Sequence, residues 1–297
     1  MFHGTMTALV TPFSNGNIDE EAFRAHLERQ IEAGVDAVVP AGTTGEAATL
    51  SFAEHKQVIR IAVEQVAGRV PVIAGTGSNN TAESIDLTSA AKALGADAAL
   101  LISPYYNKPT QEGIYRHYKA VADAVHLPQV IYNVPGRTNS NILPETVGRL
   151  SHVANIVGIK DATADMEQLV HTIVACDGRM EFYSGDDATV MPFMALGGHG
   201  VISVVSNVAP KTMQVLTTAM RNGDLNSARE AQFAMAELNQ VMFMQSNPIP
   251  VKAACAALGW MNNELRLPLL PMQGEVASLL FDVMRSFRGE KLELADN

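Results

Sequence analysis

Two cysteines are all that the 297 residues contain. Cys176 and Cys255 each sit among alanine and other apolar neighbours. That setting reads as buried free thiols in a reducing compartment rather than a disulfide framework or a nucleophile. Positive charge is also short: 21 Lys and Arg against 31 Asp and Glu give a formal net charge of −10, with no basic cluster. This argues against nucleic acid, but small anionic substrates respond to local potential and stay open. No run reaches the roughly 18 apolar residues of a membrane span. The opening Met1-Phe2-His3-Gly4-Thr5 lacks a basic segment followed by an apolar one, so no signal peptide is expected. No membrane partner is therefore expected, and the cytoplasm is the expected location. There is no Walker A motif, no H-E-x-x-H and no G-x-G-x-x-G opening a helix; Gly197-Gly198-His199-Gly200 precedes a strand-like run. His55 follows Glu54 without a second ligand at helical spacing. Nothing in the chain asks for a metal or an organic cofactor.

What the chain does contain is alternation. Strand-like runs fall at Met6–Thr11, Ala37–Pro40, Pro71–Gly75, Ala98–Ser103, Gln129–Asn133, Ile156–Lys160, Glu181–Ser184 and Gly200–Val205. Between them, segments such as Glu20–Ala33, Phe52–Val66, Ala82–Leu94 and Glu112–Val125 carry apolar residues at helical spacing. Thr81 and Thr110 stand where helix caps belong, and Gly34, Gly68 and Gly95 where helices should stop. Strands alternating with helices imply a parallel sheet with right-handed crossovers, and eight such units fit a closed (β/α)8 TIM barrel better than an open sheet. From about Pro210 onward no strand is convincing. The expected organisation is a barrel core over 1–209, then the final barrel helix and a C-terminal helical extension over 210–297.

Active sites of such barrels lie at the carboxyl ends of the strands. Thr43 and Thr44 follow the second strand, Tyr105 and Tyr106 the fourth, Tyr132 ends the fifth, Lys160 ends the sixth, and Gly185 follows the seventh. Lys160 closes the apolar run Val157-Gly158-Ile159. A lysine there is either an ordinary solvated or ion-paired residue, or an amine that desolvation makes nucleophilic. Gly42-Thr43-Thr44-Gly45-Glu46 is either a carboxylate-binding turn or a plain turn in which Thr44 or Glu46 caps the next helix. Tyr132 is core filler or a phenol shuttling protons for an amine that condenses with a carbonyl. Arg137 is a surface residue or a bidentate clamp on a substrate carboxylate.

Taken together these residues resemble the dihydrodipicolinate synthase (4-hydroxy-tetrahydrodipicolinate synthase) family of the lysine-dependent pyruvate aldolases, from Gly4 to about Pro268. The likeness is carried by Gly42-Thr43-Thr44-Gly45-Glu46, Ile73-Ala74-Gly75-Thr76-Gly77, Pro104-Tyr105-Tyr106-Asn107-Lys108-Pro109, Tyr132-Asn133-Val134-Pro135-Gly136-Arg137-Thr138, Gly158-Ile159-Lys160 and Asn247-Pro248-Ile249-Pro250-Val251-Lys252. The resemblance implies condensation of pyruvate with L-aspartate 4-semialdehyde on the route to diaminopimelate and lysine. Lys160 would form the Schiff base and Tyr132 would exchange protons. Thr43 would link Tyr132 to Tyr106, the latter reaching in from a neighbouring subunit of a dimer or dimer of dimers. Thr44 and the backbone at Ile202 would hold the pyruvate carboxylate, with Gly185 beside the substrate, and Arg137 would position the semialdehyde. Ala48, His55, Asn79, Glu83 and Tyr105 match a cleft at which many members bind inhibitory lysine. Ala47 and Phe52, however, stand where lysine-sensitive members often have serine and histidine. N-acetylneuraminate lyase or a keto-deoxy-sugar aldolase on the same scaffold is the competing reading, and a non-catalytic small-molecule sensor is the other; the Val-Pro-Gly-Arg-Thr segment favours the synthase.

Overall fold

The computed structural model describes residues 1–295. Eight parallel strands form one sheet: Gly4–Ala8, Ala37–Val39, Ile73–Gly75, Ala98–Ile102, Gln129–Asn133, Ile156–Asp161, Glu181–Ser184 and Gly200–Ser203. Neighbours pair in barrel sequence, with the first strand between the second and the eighth. The seam between second and third closes through a single bridge, Val38 to Val72, flanked by amide bonds from Val38 to Pro71 (3.0 Å) and from Gly75 to Pro40 (2.9 Å). The barrel is therefore closed, and helices between and after the strands surround it, from Glu20–Glu32 to Pro210–Arg221, the last of them following the eighth strand.

Local chemistry sets the element ends. Asp19 accepts the Ala22 amide at the start of the first helix, and Ser51 with Glu54 forms a capping box on Phe52–Val66. Thr110 caps Gln111–Ala124 as its position suggests, but the third helix begins at Thr81 itself, capped by Asn80. Several strands are shorter than the runs read from sequence, the first and the eighth at their carboxyl ends for a visible reason. The first stops at Ala8 because the Asn207 side chain takes the Ala8 carbonyl (2.8 Å) and the Val10 amide (3.1 Å). The eighth stops at Ser203 because Asp187 Oδ2 accepts the amides of Val204 (3.0 Å) and Val205 (3.3 Å). In both cases a buried side chain replaces the ladder partner that a backbone amide requires.

Alternation along the strands sorts the core. Met6, Leu100, Val130, Tyr132, Tyr183 and Ile202 fill the barrel, whereas Leu101, Ile131 and Ile159 face the surrounding helices. Beyond the barrel come Leu225–Ala234, Ala236–Met242, Ile249–Ala257 and Gly274–Ser286, with no strand after Ser203 among the described residues. Leu238, Met242, Val251, Cys255 and Leu280 bury themselves against Val10, Val204 and Val205, just past the first and eighth strands. The last three of these helices thus pack at the carboxyl end of the barrel, whereas Leu225–Ala234 packs on Pro210–Arg221. No helix among the described residues is long and apolar enough to cross a membrane. Cys176 and Cys255 are both buried and unpaired.

Candidate active site

A cavity of about 590 Å³ opens at the carboxyl ends of the strands. Lys160 enters it from the sixth strand, opposite Tyr132 of the fifth and Tyr183 of the seventh in register. Register partners on adjacent parallel strands share a face, so all three side chains turn inward. Gly158, two residues earlier on the same face, has no room for a side chain: a Cβ there would lie 2.8 Å from the Tyr183 ring. The tyrosine floor beneath the lysine depends on that glycine.

Lys160 is 5% exposed, and its Nζ lies 4.3 Å from the centroid of the Tyr132 ring. Burial brings the ammonium down to about 8, with Asp187 opposing the fall and Arg137 adding to it. A useful fraction of free amine therefore exists near neutral pH. Burial pushes the Tyr132 phenol up to about 12, against the pull of Arg137 and a hydrogen bond with Thr43. Tyr132 stays protonated, able to give a proton and recover it through a hydroxyl partner. A desolvated amine with a phenol against it is suited to condense with a carbonyl and to move the protons that dehydration of a carbinolamine requires.

The turn after the second strand is built by Gly42 and Thr43, whose carbonyls accept the amides of Gly45 (3.1 Å) and Glu46 (3.1 Å). Glu46 is left-handed, at φ 55°, and although it precedes the short helix Ala47–Thr49 its side chain makes no capping bond there. Its carboxylate instead takes Lys252 Nζ at 2.6 Å and the Arg266 amide at 3.0 Å, with the lysine fully buried. Thr44 Oγ1 accepts Asn247 Nδ2 at 3.0 Å, and the Asn247 carbonyl accepts Arg137 Nη2 at 3.2 Å. The helical extension thus holds both threonine turn and arginine. Arg137 is exposed and lines the cavity mouth, its cation open to an anionic substrate. Gly185 borders Lys160: a Cβ there would sit 2.9 Å from Lys160 Cε and 2.7 Å from Ala162 Cβ.

Lys160, Tyr132, Thr43, Thr44, Arg137 and Gly185 all line this cavity. Ile202 has its side chain wholly buried in the barrel interior and is not among the lining residues. Tyr106 is 89% exposed, at φ 72°, and lies outside the cavity of its own chain. The same cavity runs past the threonine turn into a second lobe bordered by Ala47, Ala48, Phe52, His55, Glu83 and Tyr105. There His55 Nε2 meets the Gly75 carbonyl at 2.6 Å and Glu83 accepts the Ser78 hydroxyl at 2.8 Å. Asn79 sits behind this lobe, donating to the Tyr105 carbonyl at 3.1 Å. Phe52 is half exposed. Among the described residues no three His, Cys, Asp or Glu side chains group as metal ligands.

Three contributors escape reasoning from sequence. Asn247 and the Glu46–Lys252 pair lie within quoted motifs, but their partners are about 200 residues away. Asp187 follows the seventh strand and reads as one more loop acid. Its burial is visible only in the fold.

The family model described as the dihydrodipicolinate synthetase family matches residues 1–285. A 4-hydroxy-tetrahydrodipicolinate synthase of Geobacter sp. (strain M21) is 53% identical over 288 residues, covering 97% of this chain and 99% of the relative. The crystal structure of dihydrodipicolinate synthase from Aquifex aeolicus superposes with a TM-score of 0.97 at 44% identity, covering 99% of this chain and 100% of that one. That of the Acinetobacter baumannii enzyme, complexed with pyruvate, gives 0.94 at 46% identity, covering 96% and 98%.

Proposed function

The chain belongs to the dihydrodipicolinate synthetase family, and from that premise we propose that it is a 4-hydroxy-tetrahydrodipicolinate synthase. It condenses pyruvate, held as a lysine imine, with L-aspartate 4-semialdehyde on the route to diaminopimelate and lysine. The observation that carries this reading is the buried, neutralisable Lys160 amine against the Tyr132 ring. The amine adds to the pyruvate ketone, and loss of water gives an imine protonated at nitrogen. Tyr132 supplies and recovers the protons, in contact with Thr43. Removal of a methyl proton gives a neutral enamine, whose carbon attacks the aldehyde. The substrate's own amine then closes the ring and releases Lys160.

Thr44, oriented by Asn247, and the backbone near Ile202 receive the pyruvate carboxylate, Gly185 leaves room beside the reacting carbon, and Arg137 grips the semialdehyde carboxylate. Tyr106, exposed on its own chain, completes the hydroxyl relay of a second subunit, so the working form is a dimer or a dimer of dimers. Two buried free thiols support the cytoplasm as its location. The second lobe, with His55, Asn79, Glu83, Tyr105 and Ala48, is a lysine site weakened by Ala47 and Phe52.

The test is a coupled assay with pyruvate and L-aspartate 4-semialdehyde beside an assay of sialic acid cleavage. The first should turn over and the second should not. Reduction with borohydride in the presence of pyruvate should label the peptide containing Lys160. Labelling at Lys108 or Lys252 instead would overturn the mechanism, as would Lys160→Arg retaining activity, since a guanidinium is not a usable nucleophile.

A further inference from the structure

The turn over residues 42–46, after the second strand, is bracketed by two residues in a conformation neither favours. Ala41 and Glu46 both lie in the left-handed region, at φ 55°. Such angles cost any residue that carries a Cβ and persist only where the surroundings over-determine them. Part of that determination is close packing. The Ala41 carbonyl lies against Gly75, where a Cβ would come within 2.3 Å of its oxygen, and the Gly45 carbonyl takes the Thr11 hydroxyl at 2.7 Å. The amides of Gly45 and Glu46 fold back onto Gly42 and Thr43, at 3.1 Å each. Those of Thr43 and Thr44 have no hydrogen-bond partner among the described residues, and both residues line the cavity that holds Lys160. Two successive unpaired amides in a tight turn suit an anion.

Packing does not account for the Glu46 side chain, which turns away to the helical extension. Its Oε1 takes Lys252 Nζ at 2.6 Å and its Oε2 the Arg266 amide at 3.0 Å. Both side chains of the pair are at most 1% exposed. A pair buried this deeply costs the desolvation of two charges, and an apolar pair of similar volume is often as stable. What the charges add is direction. A short bond between desolvated partners fixes where the Glu46 backbone sits, and that backbone ends the threonine turn. Lys252 lies on Ile249–Ala257, and the residues leading into that helix include Asn247, whose Nδ2 donates to Thr44 Oγ1 at 3.0 Å. One segment of the extension thus holds the turn at two points.

We propose that Glu46 and Lys252 are positioning residues for pyruvate: the buried pair holds the turn in the left-handed geometry that presents Thr43 and Thr44 to the substrate carboxylate. The proposal rests on the reading that this turn receives that carboxylate and that Lys160 forms the imine. Neither member of the pair touches substrate. Without it the strained end of the turn is free to relax, and the amides lose the preorganisation that an anion requires.

The test is borohydride trapping of the pyruvyl adduct at Lys160 in the full-length protein, as initial rate against pyruvate concentration. The double variant Glu46→Gln with Lys252→Met removes both charges together and leaves neither unpaired. Its half-saturating pyruvate concentration should rise about tenfold, the loss expected when one hydrogen bond to a charged group is misaligned. The half-saturating semialdehyde concentration in turnover should stay within about twofold, because Arg137 is tied to the Asn247 carbonyl and not to the pair. A tie that served stability alone would leave pyruvate saturation in place in any variant that urea unfolding shows to be folded. Unchanged pyruvate saturation in the folded double variant therefore overturns the proposal, and so does an equal rise for both substrates. If the double variant does not fold, Glu46→Gln alone keeps the shape of the side chain and an oxygen for the Arg266 amide, and the same outcomes decide. A wild-type protein with no adduct at Lys160 would refute the imine reading instead, which keeps the two failures apart.

Discussion

Arg137 shows how much a single residue depends on its surroundings. In sequence it reads equally as surface charge, and in the fold it remains exposed. What gives it direction is one hydrogen bond, to the carbonyl of Asn247. Arg137→Ala should therefore impair use of the semialdehyde far more than imine formation with pyruvate. The expected loss is about 1.5–3 kcal/mol in kcat/KM for the semialdehyde, as for a charge-assisted hydrogen bond. Steady-state kinetics in the second substrate, beside borohydride trapping with the first, would measure the split. An equal loss in both would mean that Arg137 supports the site rather than the substrate. Lys160 is the converse case. Its place at the end of an apolar strand was legible, whereas its depressed ammonium depends on burial supplied by seven other strands.

At the scale of elements, the turn from Gly42 to Glu46 is held by side chains from far along the chain. The Glu46–Lys252 pair is buried against the ring of Phe13, with Lys252 Nζ 4.2 Å from its centroid. Removing one partner leaves an unpaired buried charge, so Lys252→Met should destabilise the protein by about 3–5 kcal/mol. Combining it with Glu46→Gln should recover much of that loss, and denaturant unfolding of the three variants would show it. Full additivity of the two substitutions would mean that the pair is not coupled. The second lobe beside this turn carries a further expectation. With Ala47 and Phe52 in place of a hydroxyl and an imidazole, two polar contacts of about 1 kcal/mol each are lost to a bound lysine, weakening it by roughly 30-fold. Rates across a lysine titration should show little inhibition below millimolar concentration, and installing Ala47→Ser with Phe52→His should raise sensitivity. Strong inhibition of the unaltered protein would show that His55, Glu83 and the backbone suffice.

For the whole molecule, acid sensitivity is built into the junction between barrel and extension. His26 on the first helix is wholly buried, its Nε2 donating to Asn207 Oδ1 at 2.9 Å, and its other ring nitrogen has no partner. Burial brings it down to about 4 from an ordinary value of 6.5. Because the folded state keeps the ring neutral, this contribution is fully present above pH 6.5 and is lost as pH falls towards 4. It is worth on the order of 3 kcal/mol. Asp187, pushed up to about 6, works in the opposite direction over part of the same range. His26→Gln, which retains a nitrogen for Asn207, should therefore lose less stability than the wild type between pH 7 and pH 5. Urea midpoints at the two values would test this, and equal losses would show that the ring does not titrate on unfolding.

The alternation of eight apolar runs with amphipathic helices determined the barrel by itself, because period-two and helical patterns leave few ways to bury both kinds of face. Position at strand ends, read that way, already gathered Lys160, Tyr132, Thr43 and Thr44 at one mouth, and the family motifs named their chemistry. Strand limits were less legible. Leu9 to Thr11 and Val204 to Val205 continue their apolar runs but leave the sheet, since Asn207 takes the amide of Val10 and Asp187 those of Val204 and Val205 from elsewhere in the fold. The same applies to the polar ties of the site. Asn247 on Thr44 and Lys252 on Glu46 each join residues that no local pattern relates. Hydrophobic periodicity is a property of neighbours in the chain and survives in the sequence. Desolvation and charge pairing depend on what is close in space, and only the tertiary structure decided them.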